Sequence, residues 1–266
     1  MNDEELIRKI DTLFESLLLS EKHRGEIEYL KKVLSISRSQ IYATWLLWDA
    51  KKRTYSNEVY SSDALRLVMH LHNYLEGSWH KKRQTIVLDY LQRVKAKKIC
   101  DIGFGTPQKY VQRFLESQET EIFLMDFEES SLSFAEKVLD YWSQNWRKNV
   151  TLGLFDMNTD ELPKGFDSYL FQDSIEHADD PSEALHRFVE QMPKGTNVIF
   201  SLPIEIENPV PEHHIYWKNE EEIVAWLERA GLSAISHETI LMDKNVDLFC
   251  LSLHPDFREV VLEARK

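Results

Sequence analysis

The chain has 266 residues, 42% hydrophobic and 11% aromatic, which is enough apolar material for a full core and too much for a disordered chain. A formal net charge of -13 argues against general nucleic-acid binding, because no phosphate backbone seeks so acidic a surface. No apolar run approaches the ~20 residues of a membrane span. The acidic start Met1-Asn2-Asp3-Glu4-Glu5 is wrong for a signal peptide, and Cys100 and Cys250 read as buried free thiols, so the expected setting is cytoplasmic with no membrane partner.

No proline precedes Pro107, and Gly25 and Gly77 are the only glycines before Gly103. That composition predicts a run of helices over residues 1–95. The first carries Leu6, Ile10, Leu13, Phe14, Leu17 and Leu18 at helical spacing. A second starts after Gly25 (Ile27, Leu30, Val33, Leu34), and a third follows Ser39 (Ile41, Trp45, Leu46, Trp48). A fourth is capped by Ser61-Ser62-Asp63 and runs through Leu65, Val68, Leu71, His72 and Leu75 to Gly77. A fifth holds Ile86, Val87, Tyr90, Leu91 and Val94.

From Lys97 the pattern changes to alternation. Strands are predicted at Lys98–Ile102, Glu121–Met125, Thr151–Phe155, Ser168–Gln172 and Asn197–Ser201. Helices are predicted between them at Gln108–Ser117, Ser131–Gln144 and Pro181–Met192, the last capped by Asp180, and a final one at Glu220–Ala230 ends at Gly231. Two strand-like runs, Ser233–Met242 and Val246–Leu253, close the chain; their short link allows only antiparallel pairing. The expected fold is α/β: a Rossmann-like doubly wound sheet over residues 96–266, mostly parallel with a C-terminal antiparallel hairpin, preceded by the all-helical segment 1–95.

The centre of this pattern is Asp101-Ile102-Gly103-Phe104-Gly105-Thr106-Pro107, a strand end, a tight turn and the start of a helix. Glycines there let backbone N–H groups approach a ligand closely. Asp126 ends the second strand, 23 residues after Gly103, where a ribose hydroxyl pair would lie. Asp156-Met157 follows the third strand, with an acceptor for an adenine amino group and an apolar side chain for the ring. The fourth ends in Gln172-Asp173 at the same edge.

These residues resemble the class I S-adenosylmethionine-dependent methyltransferases over Lys97 to Leu253. Asp101–Thr106 is similar to their glycine motif, Met125-Asp126-Phe127 to their ribose acid and Phe155-Asp156-Met157 to their adenine site. Asp173-Ser174-Ile175-Glu176-His177-Ala178-Asp179-Asp180-Pro181 resembles the Glu-His-x-x-Asp-Pro stretch of many small-molecule methyltransferases. Pro107 departs from the third glycine of many members, and Gln108 stands where a dinucleotide-dependent dehydrogenase would carry one.

The resemblance implies S-adenosyl-L-methionine as cofactor, S-adenosyl-L-homocysteine as product and a small-molecule oxygen or nitrogen as acceptor. It implies cofactor contacts from Asp101, Gly103, Gly105, Thr106, Asp126, Phe127, Asp156, Met157 and Gln172, and catalytic roles for Asp173, His177 and His214, with His213 as the alternative to His214. An RNA or protein methyltransferase and a non-catalytic cofactor-binding partner subunit are the alternatives. Asp173-x-x-Glu176-His177 with a later His213 or His214 also resembles the metal-binding arrangement of small-RNA 2′-O-methyltransferases; a divalent cation is not the favoured reading. The helical segment is expected to wall the acceptor site, with Tyr74 and Trp79-His80 as pocket candidates and His70 and His72 as core residues. The basic residues Lys81, Lys82, Arg83, Arg93, Lys95, Lys97 and Lys98 are expected to be solvated.

Overall fold

The structure is a computed structural model that describes residues 3–47, 62–205, 212–243, 245–247 and 258–266. Trp48, Tyr55, Tyr60, Ser61 and Cys250 lie outside them. Helices α1 (Asp3–Leu19), α2 (Glu21–Val33), α3 (Arg38–Leu47), α4 (Asp63–His72) and α5 (Trp79–Arg93) come first. Then follow β1 (Lys98–Ile102), α6 (Lys109–Ser117), β2 (Glu121–Asp126), α7 (Glu129–Trp142), β3 (Val150–Leu154), β4 (Ser168–Gln172), α8 (Pro181–Gln191), β5 (Asn197–Ile204), α9 (Glu220–Arg229), β6 (Ser233–Leu241) and β7 (Arg258–Arg265).

The strands form one seven-stranded sheet in the order β3-β2-β1-β4-β5-β7-β6. The five strands from β3 to β5 are parallel; β7 runs antiparallel to both β5 and β6. Successive residues of the central strands serve opposite faces, and both faces are apolar, which is the signature of a sheet covered on both sides. Ile99, Leu170, Ile199 and Val261 enter one core cluster. Cys100, Phe171, Phe200 and Leu262 enter the other, beneath α8 and α9.

The first cluster also contains Ile10, Phe14, Ile27, Leu30, Trp45, Leu65, Leu71 and Leu91 from α1 to α5. The helical segment and one sheet face therefore share a continuous core. A polar knot sits at their junction: Tyr74 donates to both Glu26 oxygens at 2.8 Å, and His70 Nε2 lies 2.8 Å from Glu26 Oε1, all three residues buried. Glu26→Ala strands those groups and is expected to cost about 2–4 kcal/mol in urea unfolding; a change under about 0.5 kcal/mol would show the knot to be dispensable.

Three expectations need correction. The closing strand is Arg258–Arg265; Asn245 and Val246 lie in a turn that Asp247 follows, and residues 248–253 lie outside the described residues. The pairing is antiparallel as expected, but β7 is inserted between β5 and β6. Gly25 does not start α2 but lies inside it, where a Cβ would stand 2.6 Å from the Tyr141 hydroxyl of α7. Tyr74, assigned to a pocket, belongs to the buried knot.

Candidate active site

The glycine turn forms where β1 leaves the sheet. Gly103 and Gly105 both have positive φ, +73° and +61°, values that a side chain disfavours. Their demands differ. A Cβ on Gly103 would lie 2.4 Å from Ser174 Cβ, so this glycine lets the segment after β4 close against the turn. A Cβ on Gly105 would have no neighbour nearer than 3.8 Å, so Gly105 answers to backbone conformation alone. The Gly105 N–H donates to Asp126 Oδ2 at 3.0 Å, and the Glu128 N–H donates to Asp126 Oδ1 at 3.0 Å. Asp126 at the end of β2 thus holds the turn after β1, and each oxygen keeps a further lone pair for a ligand hydroxyl.

Phe127 beside it is 67% exposed. Asp156 follows β3 at the same edge; its Oδ1 accepts the Asn158 N–H at 2.9 Å, and Met157 is half-buried beneath an Arg187 contact to its carbonyl. The carboxyl ends of β1, β2 and β3 thus carry Asp101, Asp126 and Asp156 along one edge, as the pairing register requires.

Asp101 is fully buried, and its Oδ2 accepts from the Tyr110 hydroxyl at 2.6 Å and from Gln172 Nε2 at 3.1 Å. Burial pushes its carboxyl up to about 7, against those two donors. An unfolded aspartate titrates near ~3.9, so the folded chain holds the extra proton between the two values. That contribution is complete below about pH 4 and is lost as the pH rises through about 7. The stability of wild type relative to Asp101→Asn should therefore fall from about pH 4 to pH 8 in urea titrations; a pH-independent difference would contradict the assignment.

At the end of β4 the backbone itself is unusual. Asp173 has φ +47°, a left-handed conformation in a non-glycine residue. Its Oδ2 accepts from Arg83 of α5, a residue that is itself buried. Beyond it Glu176 is fully buried, neither carboxylate oxygen has a hydrogen-bond partner among the described residues, and burial raises its pKa. His177 Nδ1 lies 3.2 Å from the Glu212 carbonyl, and burial lowers its pKa to about 4, with help from His213. His213 Nδ1 lies 2.7 Å from Glu205 Oε2. Burial opposes charge on that ring, but the Glu205 hydrogen bond and the nearby carboxylates carry its pKa above the usual value.

Glu176, His177 and His213 each offer one ligand atom, all within 4.8 Å of one another, which fits the donor set of a divalent cation. Asp173 is not in that group, and His214 turns elsewhere: it is exposed, and its Nδ1 lies 2.8 Å from the Ala178 carbonyl. Sequence reasoning passed over Glu205 and Arg83. Glu205 stands at the end of β5 beside the unrevealing Ile204, and Arg83 sits among the basic residues taken as solvated.

The helical segment reaches this edge. Asn73 Nδ2 donates to Thr106 Oγ1 at 3.4 Å, and the Lys109 N–H donates to Gln84 Oε1 at 2.9 Å. His72 is buried and accepts from Trp45 Nε1 at 3.3 Å; Trp79 and His80 are buried and stacked at 3.8 Å. Of the basic residues, Arg83, Arg93, Lys81, Lys97 and Lys98 pair with Asp173, Glu263, Glu76, Glu119 and Glu121. Cys100 is a buried free thiol, and among the described residues no helix is long and apolar enough to cross a membrane.

No protein-family model and no curated protein matches the chain. Solved structures do. SpnF, a 4+2 cyclase, is similar at TM-score 0.57 and 15% identity, over 72% of this chain and 83% of that one. The StiE O-MT is similar at TM-score 0.54 and 9% identity, over 80% and 78%. Magnesium protoporphyrin IX methyltransferase (ChlM) from Synechocystis PCC 6803, solved with bound SAH, is similar at TM-score 0.52 and 14% identity, over 70% and 83%. The chain thus has the Rossmann-like fold found in class I S-adenosylmethionine-dependent methyltransferases.

Proposed function

We propose that the chain is an S-adenosylmethionine-dependent methyltransferase that moves a methyl group to an oxygen or nitrogen of a small molecule. The observation that carries this reading is the glycine turn tied to Asp126 at the carboxyl edge of β1 and β2, in a sheet that methyltransferases share. Asp101 would hold the methionine ammonium, Gly103–Thr106 the backbone-facing methionine portion, Asp126 with Phe127 the ribose, Asp156-Met157 the adenine, and Gln172 with Asp173 the region of the transferred carbon.

When bound, S-adenosylmethionine would supply an electrophilic methyl for the acceptor's oxygen or nitrogen, with S-adenosylhomocysteine as the leaving group. The protein's work is to hold the acceptor in line and exclude water. His213 would take the acceptor's proton, a role supported by Glu205, which lies against its Nδ1 and would orient the ring and stabilise the imidazolium; His177 is the second candidate. We place the base here rather than at His214, whose Nδ1 is bonded to Ala178. Glu176, His177 and His213 could also hold a divalent cation, which would lower the pKa of an acceptor hydroxyl. Turnover unaffected by a strong chelator would remove the cation.

Calorimetric titration tests the cofactor. S-adenosylmethionine is expected to bind the isolated chain and NAD to leave no heat; the reverse result would overturn the reading. SpnF supports a second reading, because its name shows that this fold also hosts cyclisation. Binding without methyl release to any acceptor panel would favour that alternative or a cofactor-binding partner subunit.

A further inference from the structure

A buried guanidinium stands over the glycine turn, and among the described residues no acid neutralises it. Arg66 of α4 is 3% exposed, and its Nη1 lies 3.8 Å from the point where a Cβ on Gly105 would stand. Its Nε is sealed from solvent and has no hydrogen-bond partner among the described residues. Among the described residues no acid pairs with it, whereas Arg83 and Arg93 have Asp173 and Glu263. Near the same turn, Asp101 Oδ1 is likewise buried without a donor. A packing role would be served by an apolar side chain. A charge left unpaired in the interior is costly unless a ligand supplies the counter-charge.

We propose that Arg66 receives the α-carboxylate of the cofactor's methionine portion, so that Arg66 and Asp101 together form a site for an amino-acid zwitterion. The inference rests on the methyltransferase reading above. Its chemistry is selective, because the carboxylate is the one anionic group of S-adenosylmethionine. Adenine and ribose are neutral, and the sulfonium and ammonium are cations. A planar guanidinium fork matches a carboxylate through two parallel hydrogen bonds, which a lysine cannot reproduce.

The test is calorimetry on the full chain with three ligands: S-adenosylmethionine, its decarboxylated analogue and 5′-methylthioadenosine. Wild type should bind the decarboxylated analogue about 10–100-fold more weakly than S-adenosylmethionine. Arg66→Met should weaken S-adenosylmethionine by a similar factor, yet change the decarboxylated analogue by less than about 3-fold. The ligand-free Arg66→Met protein should melt at or above wild type, because an apolar chain replaces an unpaired buried charge.

Equal losses for both ligands, or none for S-adenosylmethionine, would overturn the assignment. If Arg66→Met does not fold, the wild-type comparison and Arg66→Lys decide: decarboxylated and intact cofactor bound equally by wild type would also overturn it. Wild type that binds 5′-methylthioadenosine and S-adenosylmethionine alike refutes Arg66 but spares the methyltransferase reading. Wild type that binds neither refutes both.

Discussion

Gly103→Ala is expected to destabilise the chain by about 2–5 kcal/mol, from about 1–2 for a side chain held at positive φ and about 1–3 for overpacking. The new methyl would have to occupy space 2.4 Å from Ser174 Cβ, and Ser174 is held between the β4 end and the buried segment around Glu176. The two contributions can be separated. Ser174→Gly removes the opposing carbon, so the double variant should recover the steric share and retain the conformational one. Urea unfolding of the four proteins measures this directly. Strict additivity, or a Gly103→Ala protein within about 0.5 kcal/mol of wild type, would mean that the turn does not press on the segment after β4.

The second large effect is on binding. Asp126→Ala should weaken S-adenosylmethionine by about 10–150-fold, because hydrogen bonds to a charged acceptor contribute about 1.5–3 kcal/mol. Part of that loss could come from the turn, since the Gly105 N–H would lose its acceptor. Asp126→Asn separates the two causes: it keeps an oxygen for Gly105 and removes the charge. An Asn variant near wild type with a weak Ala variant would assign the effect to the turn. An Ala variant that binds as tightly as wild type would refute the ribose assignment.

The central parallel strands β1, β4 and β5 were legible because their apolar residues fall on both faces, as a doubly covered strand requires, and because Asp180 and Gly231 mark helix ends by their own chemistry. Strand β7 was not. Arg-Glu-Val-Val-Leu-Glu-Ala-Arg interrupts its apolar run with Glu259 and Glu263, yet both acids are buried. Glu259 accepts from Ser201 and Glu263 from Arg93, partners 58 and 170 residues away that no local pattern reveals. The site divides in the same way. Residues at strand ends announced themselves by position. The pairs Arg83–Asp173 and Glu205–His213 depend on how α5 and the segment after β5 close over the edge, which is tertiary information.

The continuous core beneath α1 to α5 has a consequence for anyone who wishes to retarget the chain. The helices nearest the reaction edge are also pillars of the sheet, since Leu65, Leu71, Val87 and Leu91 share one apolar mass with Ile99 and Val261. Remodelling that wall for a new acceptor would draw on the same reserve that keeps the protein native, so gains in selectivity would come with a lowered and still single calorimetric transition rather than with the loss of a detachable cap.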